Sequence, residues 1–240
     1  MLETDIKTNL TNQGANFVHF VDISRLNEEQ TRGYRSAIIF GISLSPEFIQ
    51  KVTNTPDYVE ELKASRNFNE DDFATKEAKT DRMADELADY LNQLGHESFS
   101  QSEKSLETAN LYNPKQKRSP LPHKTIARMA GLGWIGKHNL LVTREYGSAL
   151  SMCTVLTNAP LNSTIAERVV SKCGHCFACV CSCEPEALSG EAWQPGKDRD
   201  VLLNVHSCTT CLKCMMICPW TQKYSKSLQP AEQGNLNQLG

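Results

Sequence analysis

Cys173-Gly-His-Cys176-Phe-Ala-Cys179-Val-Cys-Ser-Cys183 and Cys208-Thr-Thr-Cys211-Leu-Lys-Cys214-Met-Met-Ile-Cys218-Pro219 are two copies of one spacing, C-x2-C-x2-C-x3-C. Together they use eight of the ten cysteines in a chain of 240 residues. Three cysteines at steps of three wrap a tight loop whose thiolates reach three corners of an iron–sulfur cube. The fourth arrives from a helix that leaves the loop. The spacing predicts two [4Fe–4S] clusters and a role in moving electrons.

In two-cluster bacterial ferredoxins the fourth cysteine of each ladder ligates the other cluster. That crossover assigns one cluster to Cys173, Cys176, Cys179 and Cys218, and the other to Cys208, Cys211, Cys214 and Cys183. The first ladder is irregular: Cys183 is followed by Glu184 and then Pro185, and Cys181 sits inside the x3 gap. Cys181 is therefore an alternative to Cys183. Zinc also uses paired C-x-x-C, but it does not account for a third cysteine in both copies or for Cys218-Pro219. Disulfide frameworks belong to short secreted chains, and Met1–Leu10 is polar with no export-like apolar stretch. Reduced cysteines without an export signal imply the cytoplasm. Cys153, in the apolar run Ser151–Leu156, reads as a small core residue. His175 and His206 flank the cluster cysteines and read first as surface or packing residues, with cluster tuning as the alternative.

Hydrophobic residues make up 40% of the chain and charged residues 22%, with a net charge of −3. That supports a core for one or two domains and lacks the basic excess of a general nucleic-acid surface. Lys115, Lys117 and Arg118, the one basic cluster, read as a solvated loop. No run of 18 apolar residues predicts a membrane span.

The pattern predicts strands at Phe17–Ile23, Ser36–Leu44, Asn139–Arg144 and Ala149–Thr157. It predicts helices at Asp57–Lys63, Asp71–Leu94 and His123–Gly131, with another near Thr164 leading into the first ladder. In Asp71–Leu94 the expected buried face is Phe73, Met83, Leu87, Tyr90, Leu91 and Leu94, closed by Gly95. Ser98–Pro122 reads as a long irregular loop, and the chain beyond Trp220 as polar and frayed. The fold class is α+β: an α/β front domain over 1–162, then a ferredoxin-like two-cluster module over 163–240. Gly131-Leu-Gly-Trp-Ile-Gly136 matches G-x-G-x-x-G, and with Lys137 it nearly matches a P-loop. Both phosphate motifs need a strand before and a helix after. Here a helix precedes and a strand follows, so the glycines instead mark a sharp turn or a close backbone approach.

The stretch Pro120-Leu-Pro122, Ala130-Gly-Leu-Gly-Trp-Ile-Gly-Lys-His-Asn-Leu-Leu141, Glu145-Tyr-Gly-Ser148 and Thr157-Asn-Ala-Pro-Leu161 resembles the core of epoxyqueuosine reductase. So does the pair of ladders ending in Cys218-Pro219-Trp220. Between the ladders, Ala187-Leu-Ser-Gly190, Trp193, Gly196 and Arg199 are similar to short anaerobe relatives described as [4Fe–4S] double-cluster-binding proteins. The resemblance runs from about Phe17 to Lys223 and extends to reductive dehalogenases. It implies a nitroreductase-like front domain and electrons passing through two clusters to a bound cobalamin. The cofactor loop would comprise Gly131, Gly133, Trp134, Gly136, Lys137 and His138, lying against the corrin. The resemblance further implies an electron donor such as a ferredoxin or flavodoxin, and a corrinoid or small-molecule acceptor. A plain electron-transfer protein is the alternative, and epoxyqueuosine reduction in tRNA ranks last. Two departures motivate that ranking. The family's proton-donating aspartate has no counterpart in Leu106–Pro114, where Glu107 and Tyr112 are the nearby acids. Tyr112 is the candidate donor, since dehalogenases use a tyrosine. The chain also ends soon after its second ladder, where the reductase continues into helical repeats that help hold tRNA.

Overall fold

A computed structural model of the chain describes residues 2–66 and 69–228. The first half runs α1 (Leu2–Asn12), β1 (Phe17–Asp22), α2 (Glu28–Thr31), β2 (Ser36–Ser43), α3 (Pro46–Asn54), α4 (Tyr58–Ser65) and α5 (Asp72–Gln93). It continues through β3 (Ser98–Ser100), α6 (Glu103–Thr108), α7 (His123–Met129), β4 (Gly133–Ile135), β5 (Leu141–Thr143) and β6 (Leu150–Thr157). The remainder holds four short helices: α8 (Ala178–Cys181), α9 (Arg199–Leu202), α10 (Lys213–Met216) and α11 (Pro219–Ser227). The architecture is mixed helix and sheet.

Four strands form an antiparallel sheet in the order β1-β2-β6-β3. β2 is apolar nearly throughout because both of its faces are covered. Successive side chains point to opposite faces, so Ile38, Phe40 and Ile42 enter one cluster with Cys153, Val155 and residues of α1 and α5. Ala37 and Ile39 enter a second cluster with Leu156 and residues of α7. A third joins α3 and α4 to Met215, Met216 and Tyr224, so the C-terminal helices share a core with the front half. Cys153 is fully buried, as a small core residue would be.

α5 begins where Asp71 Oδ1 accepts the Ala74 amide at 3.0 Å. Its buried stripe is Thr80, Met83, Ala84, Leu87, Ala88 and Leu91. Tyr90 and Leu94 are exposed, against the sequence expectation. The small Ala84 and Ala88 let the helix lie close to the sheet, which turns Tyr90 and Leu94 to the flank. Three further expectations are corrected. Ser98–Pro122 contains a strand and a helix, because Ser98–Ser100 pairs with β6 and Ser102 caps α6. No helix starts near Thr164; that residue instead exchanges backbone hydrogen bonds with Phe20 and Asp22. Beyond Trp220 the chain continues as α11, anchored by buried Thr221, Tyr224 and Ser225; the expected fraying of residues 229–240 lies outside the described residues.

Phe40 is wholly buried and pairs with Val18 on one side and Cys153 on the other. Phe40→Ala is expected to cost about 3–5 kcal/mol of stability, measured as a lower urea midpoint with an unchanged slope.

Candidate functional site

β4 and β5 form a two-stranded hairpin carrying the glycine-rich segment. A Cβ at Gly133 would collide with the Val142 carbonyl, so only glycine lets the strands approach this closely. The order is helix α7, then β4, then β5, which is not a phosphate loop. Trp134 is buried, packs edge-on against Trp220 with ring centroids 5.1 Å apart, and donates its indole N–H to Cys173 Sγ at 3.4 Å. Lys137 is also buried. Its ammonium donates to the carbonyls of Gly174 at 3.0 Å and Cys176 at 3.1 Å, and lies 3.5 Å from the centroid of the Phe177 ring. The loop therefore meets the first cysteine ladder. Trp134 and Lys137 thus make their polar contacts with that ladder.

The cysteines gather in the crossed pattern. Cys173, Cys176, Cys179 and Cys218 line a cavity of about 130 Å³ with Lys137, His138, Lys172, Pro219 and Trp220. Cys183, Cys208, Cys211 and Cys214 line another of about 240 Å³. Cys183 rather than Cys181 faces this second cavity, and Cys181 is exposed. Crowding raises the thiols. Burial, then the neighbouring Cys218, Cys173 and Cys176, push Cys179 up to about 11. Burial, then Cys211, Cys179, Cys208 and Cys183, push Cys214 up to about 12. A bound metal cluster reverses that cost, because coordination deprotonates a thiol outright. Among the described residues no three or more His, Cys, Asp or Glu side chains are grouped to hold a single metal ion. The two sets instead surround cavities, which suits a multinuclear cluster.

His138 lines both cysteine cavities. Its Nδ1 accepts the Leu140 amide at 3.1 Å, which leaves the proton on Nε2 to be donated to Ser148 Oγ at 3.0 Å. Burial, then the charge of Lys124, lower its pKa to about 4. His175 and His206 are exposed and line neither cavity.

A third cavity, of about 320 Å³, opens on the front half. Leu140, Leu212 and Met215 line both it and the second cysteine cavity, so the two share a wall. Phe73, Leu150 and Met152 extend its apolar floor, and Glu77, His123 and Lys124 supply polar groups. His123 Nδ1 lies 2.9 Å from Thr154 Oγ1, and burial lowers its pKa to about 4. Lys124 donates to the Asn139 carbonyl at 2.6 Å. Burial, then Arg199 and Arg118, lower it to about 8. Glu77, an exposed residue on α5, is one of the residues lining the cavity. Desolvation at the wall, then Asp81, Glu103 and Asp71, push it up to about 7. Solvent at the mouth screens those neighbours, so the upward direction carries the argument. Sequence reasoning missed all three polar groups. Tyr112, the expected donor, is exposed and lines none of these three cavities.

No family model matches the chain. Epoxyqueuosine reductase of Synechococcus is 35% identical over 131 residues, covering 48% of this chain and 40% of that protein. That of Escherichia coli is 30% identical over 133 residues, covering 48% and 34%. The chain is related to epoxyqueuosine reductases. The matched stretch is less than half the length of these curated relatives. Among solved structures, epoxyqueuosine reductase from Streptococcus thermophilus aligns with TM-score 0.54 at 15% identity, over 92% of this chain and 66% of that one. A catabolic reductive dehalogenase in complex with 3-bromo-4-hydroxybenzoic acid aligns with TM-score 0.61 at 17% identity, over 90% and 31%. These structures share the fold. Among the described residues no helix is long and apolar enough to cross a membrane.

His138 should make stability pH-dependent. Its folded pKa lies below the unfolded value, so its contribution is fully present above about pH 6.5. It is lost as pH falls toward about 4, by roughly 1.4 kcal/mol per pH unit. His138→Gln is expected to remove about one proton from that slope, read from urea unfolding of the cluster-free chain at a series of pH values.

Proposed function

We propose that this chain is an iron–sulfur oxidoreductase of the epoxyqueuosine-reductase type, with two [4Fe–4S] clusters feeding a reduction site on the front half. The observation that carries the reading is the sharing of Leu140, Leu212 and Met215 between the second cysteine cavity and the cavity holding Glu77, His123 and Lys124. Electrons would enter at Cys173, Cys176, Cys179 and Cys218, pass to Cys183, Cys208, Cys211 and Cys214, and leave across that shared wall. The open cavity favours catalysis over a plain electron carrier, whose front domain would need no such space. On this reading residues 163–240 form the two-cluster module and 1–162 the substrate domain.

Epoxyqueuosine reduction, ranked last from sequence, moves to the front as the named activity of the curated relatives. The missing loop aspartate and the short span of the match favour a second reading, a small-molecule or corrinoid acceptor at the same cavity. Reducing an epoxide to an alkene consumes two electrons and two protons and releases water. Glu77 and Lys124 are suited to supply the protons, because each has a pKa close to neutrality. His123 and His138, neutral when buried, position hydrogen bonds rather than give up protons. The apolar floor of Phe73, Leu140, Leu150, Leu212 and Met215 suits one face of a flat conjugated cofactor. A bound corrinoid would supply a strongly reducing, nucleophilic metal centre there.

Anaerobic purification with metal and sulfide analysis is expected to give about eight irons per chain, and cobalt if the corrinoid binds. Fewer than four irons would sink the cluster assignment. Reduction of an epoxyqueuosine-modified anticodon stem-loop, followed by mass spectrometry, separates the two substrate readings. A proton donor works in its acid form, so turnover should fall as pH rises through about 7. Glu77→Gln should lower the rate by about 10²-fold and move that alkaline fall up toward the Lys124 value of about 8, while iron content stays unchanged.

A further inference from the structure

The rim of the first cysteine cavity carries cations that nothing neutralises. Lys172 lines the cavity and is exposed. Lys223, also exposed, stands 5.9 Å from the centroid of the Trp220 ring, and Trp220 lines the same cavity. Lys226 follows three residues on, on the same helix, and is exposed. None of the three has an ion pair among the described residues, whereas several other cations near the ladders are matched and Arg168 lies against the Trp193 ring. Arg118 meets Asp198 and Asp200, Lys197 meets Glu191, Arg199 meets Asp200, and Lys213 meets Glu184. Exposed apolar side chains lie along the same ladder: Val170 is 68% exposed and Phe177 47%. The buried ammonium of Lys137, beneath the Phe177 ring, adds to the positive potential from within. In a chain of net charge −3 this is a local excess of the opposite sign. The second cavity differs, since its flanking Lys213 is held by Glu184 and Asp57.

We infer that this rim is the docking face for a small acidic one-electron carrier protein, with Lys172 and Lys223 steering it to the first cysteine set and Val170 and Phe177 forming the apolar contact. The inference rests on the cluster reading above and deepens it by naming where electrons enter. Transient redox encounters are small and wet, and opposite charges raise their association rate more than their affinity. Such steering weakens as salt shortens the screening length.

The test uses the full chain with its clusters in place, mixed anaerobically in a stopped-flow instrument with a pre-reduced acidic plant-type [2Fe–2S] ferredoxin, whose visible bands differ from those of [4Fe–4S] clusters. The visible absorbance of the clusters reports electron arrival. The rate is expected to fall steeply with added salt. Lys172→Glu with Lys223→Glu should slow it at least tenfold at low salt and flatten the salt dependence. Lys104→Glu with Lys115→Glu, away from the rim, should leave it within twofold. Dithionite is small and needs no docking face, so its reduction of the clusters should be the same in every variant. Unchanged ferredoxin kinetics in the rim variant, or no reduction of the parent by ferredoxin while dithionite works, would overturn the docking face alone. A chain without bound iron would overturn this inference together with the cluster reading.

Discussion

The ammonium of Lys137 holds the two halves of the site together. A buried cation is costly unless its donors are met, and here two go to the Gly174 and Cys176 carbonyls while the Phe177 ring takes its face. Those partners belong to the loop of the first ladder, and the lysine belongs to the glycine segment after β4. The loop is thereby held against the front half by these contacts. Trp134 adds an N–H to the Cys173 sulfur from the same hairpin. Hydrogen bonds to cluster sulfur are one of the levers that set a potential. The glycines are needed because β4 and β5 must approach closely to deliver both side chains.

Charge is graded across the molecule as a result. Unpaired lysines stand outside the first cysteine set, and Lys137 lies beneath it. His138, between the two sets, is held neutral by burial and the nearby charge of Lys124. Beyond the second set, the front cavity mixes a carboxyl that keeps its proton more readily than usual with an amine that loses its proton more readily than usual. On the proposed function, such a gradient would draw an acidic carrier to the outer rim and place proton donors at the other end.

Much of this was legible in the sequence, and the reasons are physical. Ligand spacing is a local property, so the crossed cysteine sets could be read directly from two short segments. The strands β2 and β6 and the helix α5 could be read because two-sided and one-sided burial impose strong periodic patterns. The stripe of α5 was read too broadly, since hydrophobicity alone does not show that Ala84 and Ala88 bring the helix close. β3 and α6 escaped because a three-residue strand and a six-residue helix carry almost no period. Their signals were a pairing partner 57 residues away, Phe99 with Leu156, and a capping serine. The glycine segment was refused as a phosphate loop because a helix precedes it and a strand follows, and that order is the one found. Nothing local in Trp134 or Lys137 reveals that each points at a ladder some 39 residues later.

On the proposed function, a proton donor can arise without the family's loop aspartate. Reducing an epoxide to an alkene needs an acid beside the oxygen that leaves as water, not an aspartate at a given point in a loop. In this chain the loop of Leu106–Pro114 bears no aspartate, and its Tyr112 faces solvent. Helix α5 instead runs along the cavity and presents Glu77 there, two turns after its Asp71 cap. Asp71 and Asp81 are its neighbours along the same helix, and Glu103 faces it from α6. Desolvation first, then the three carboxylates Asp81, Glu103 and Asp71, make loss of its proton unfavourable, which is the condition a neutral-pH donor requires. No motif signals this, because it depends on two helices and a cavity wall meeting in space. The same crowding holds the acid proton at neutral pH wherever the side chain is attached to the backbone. A search for the donor in such chains should therefore follow the charges around the cavity rather than the loop.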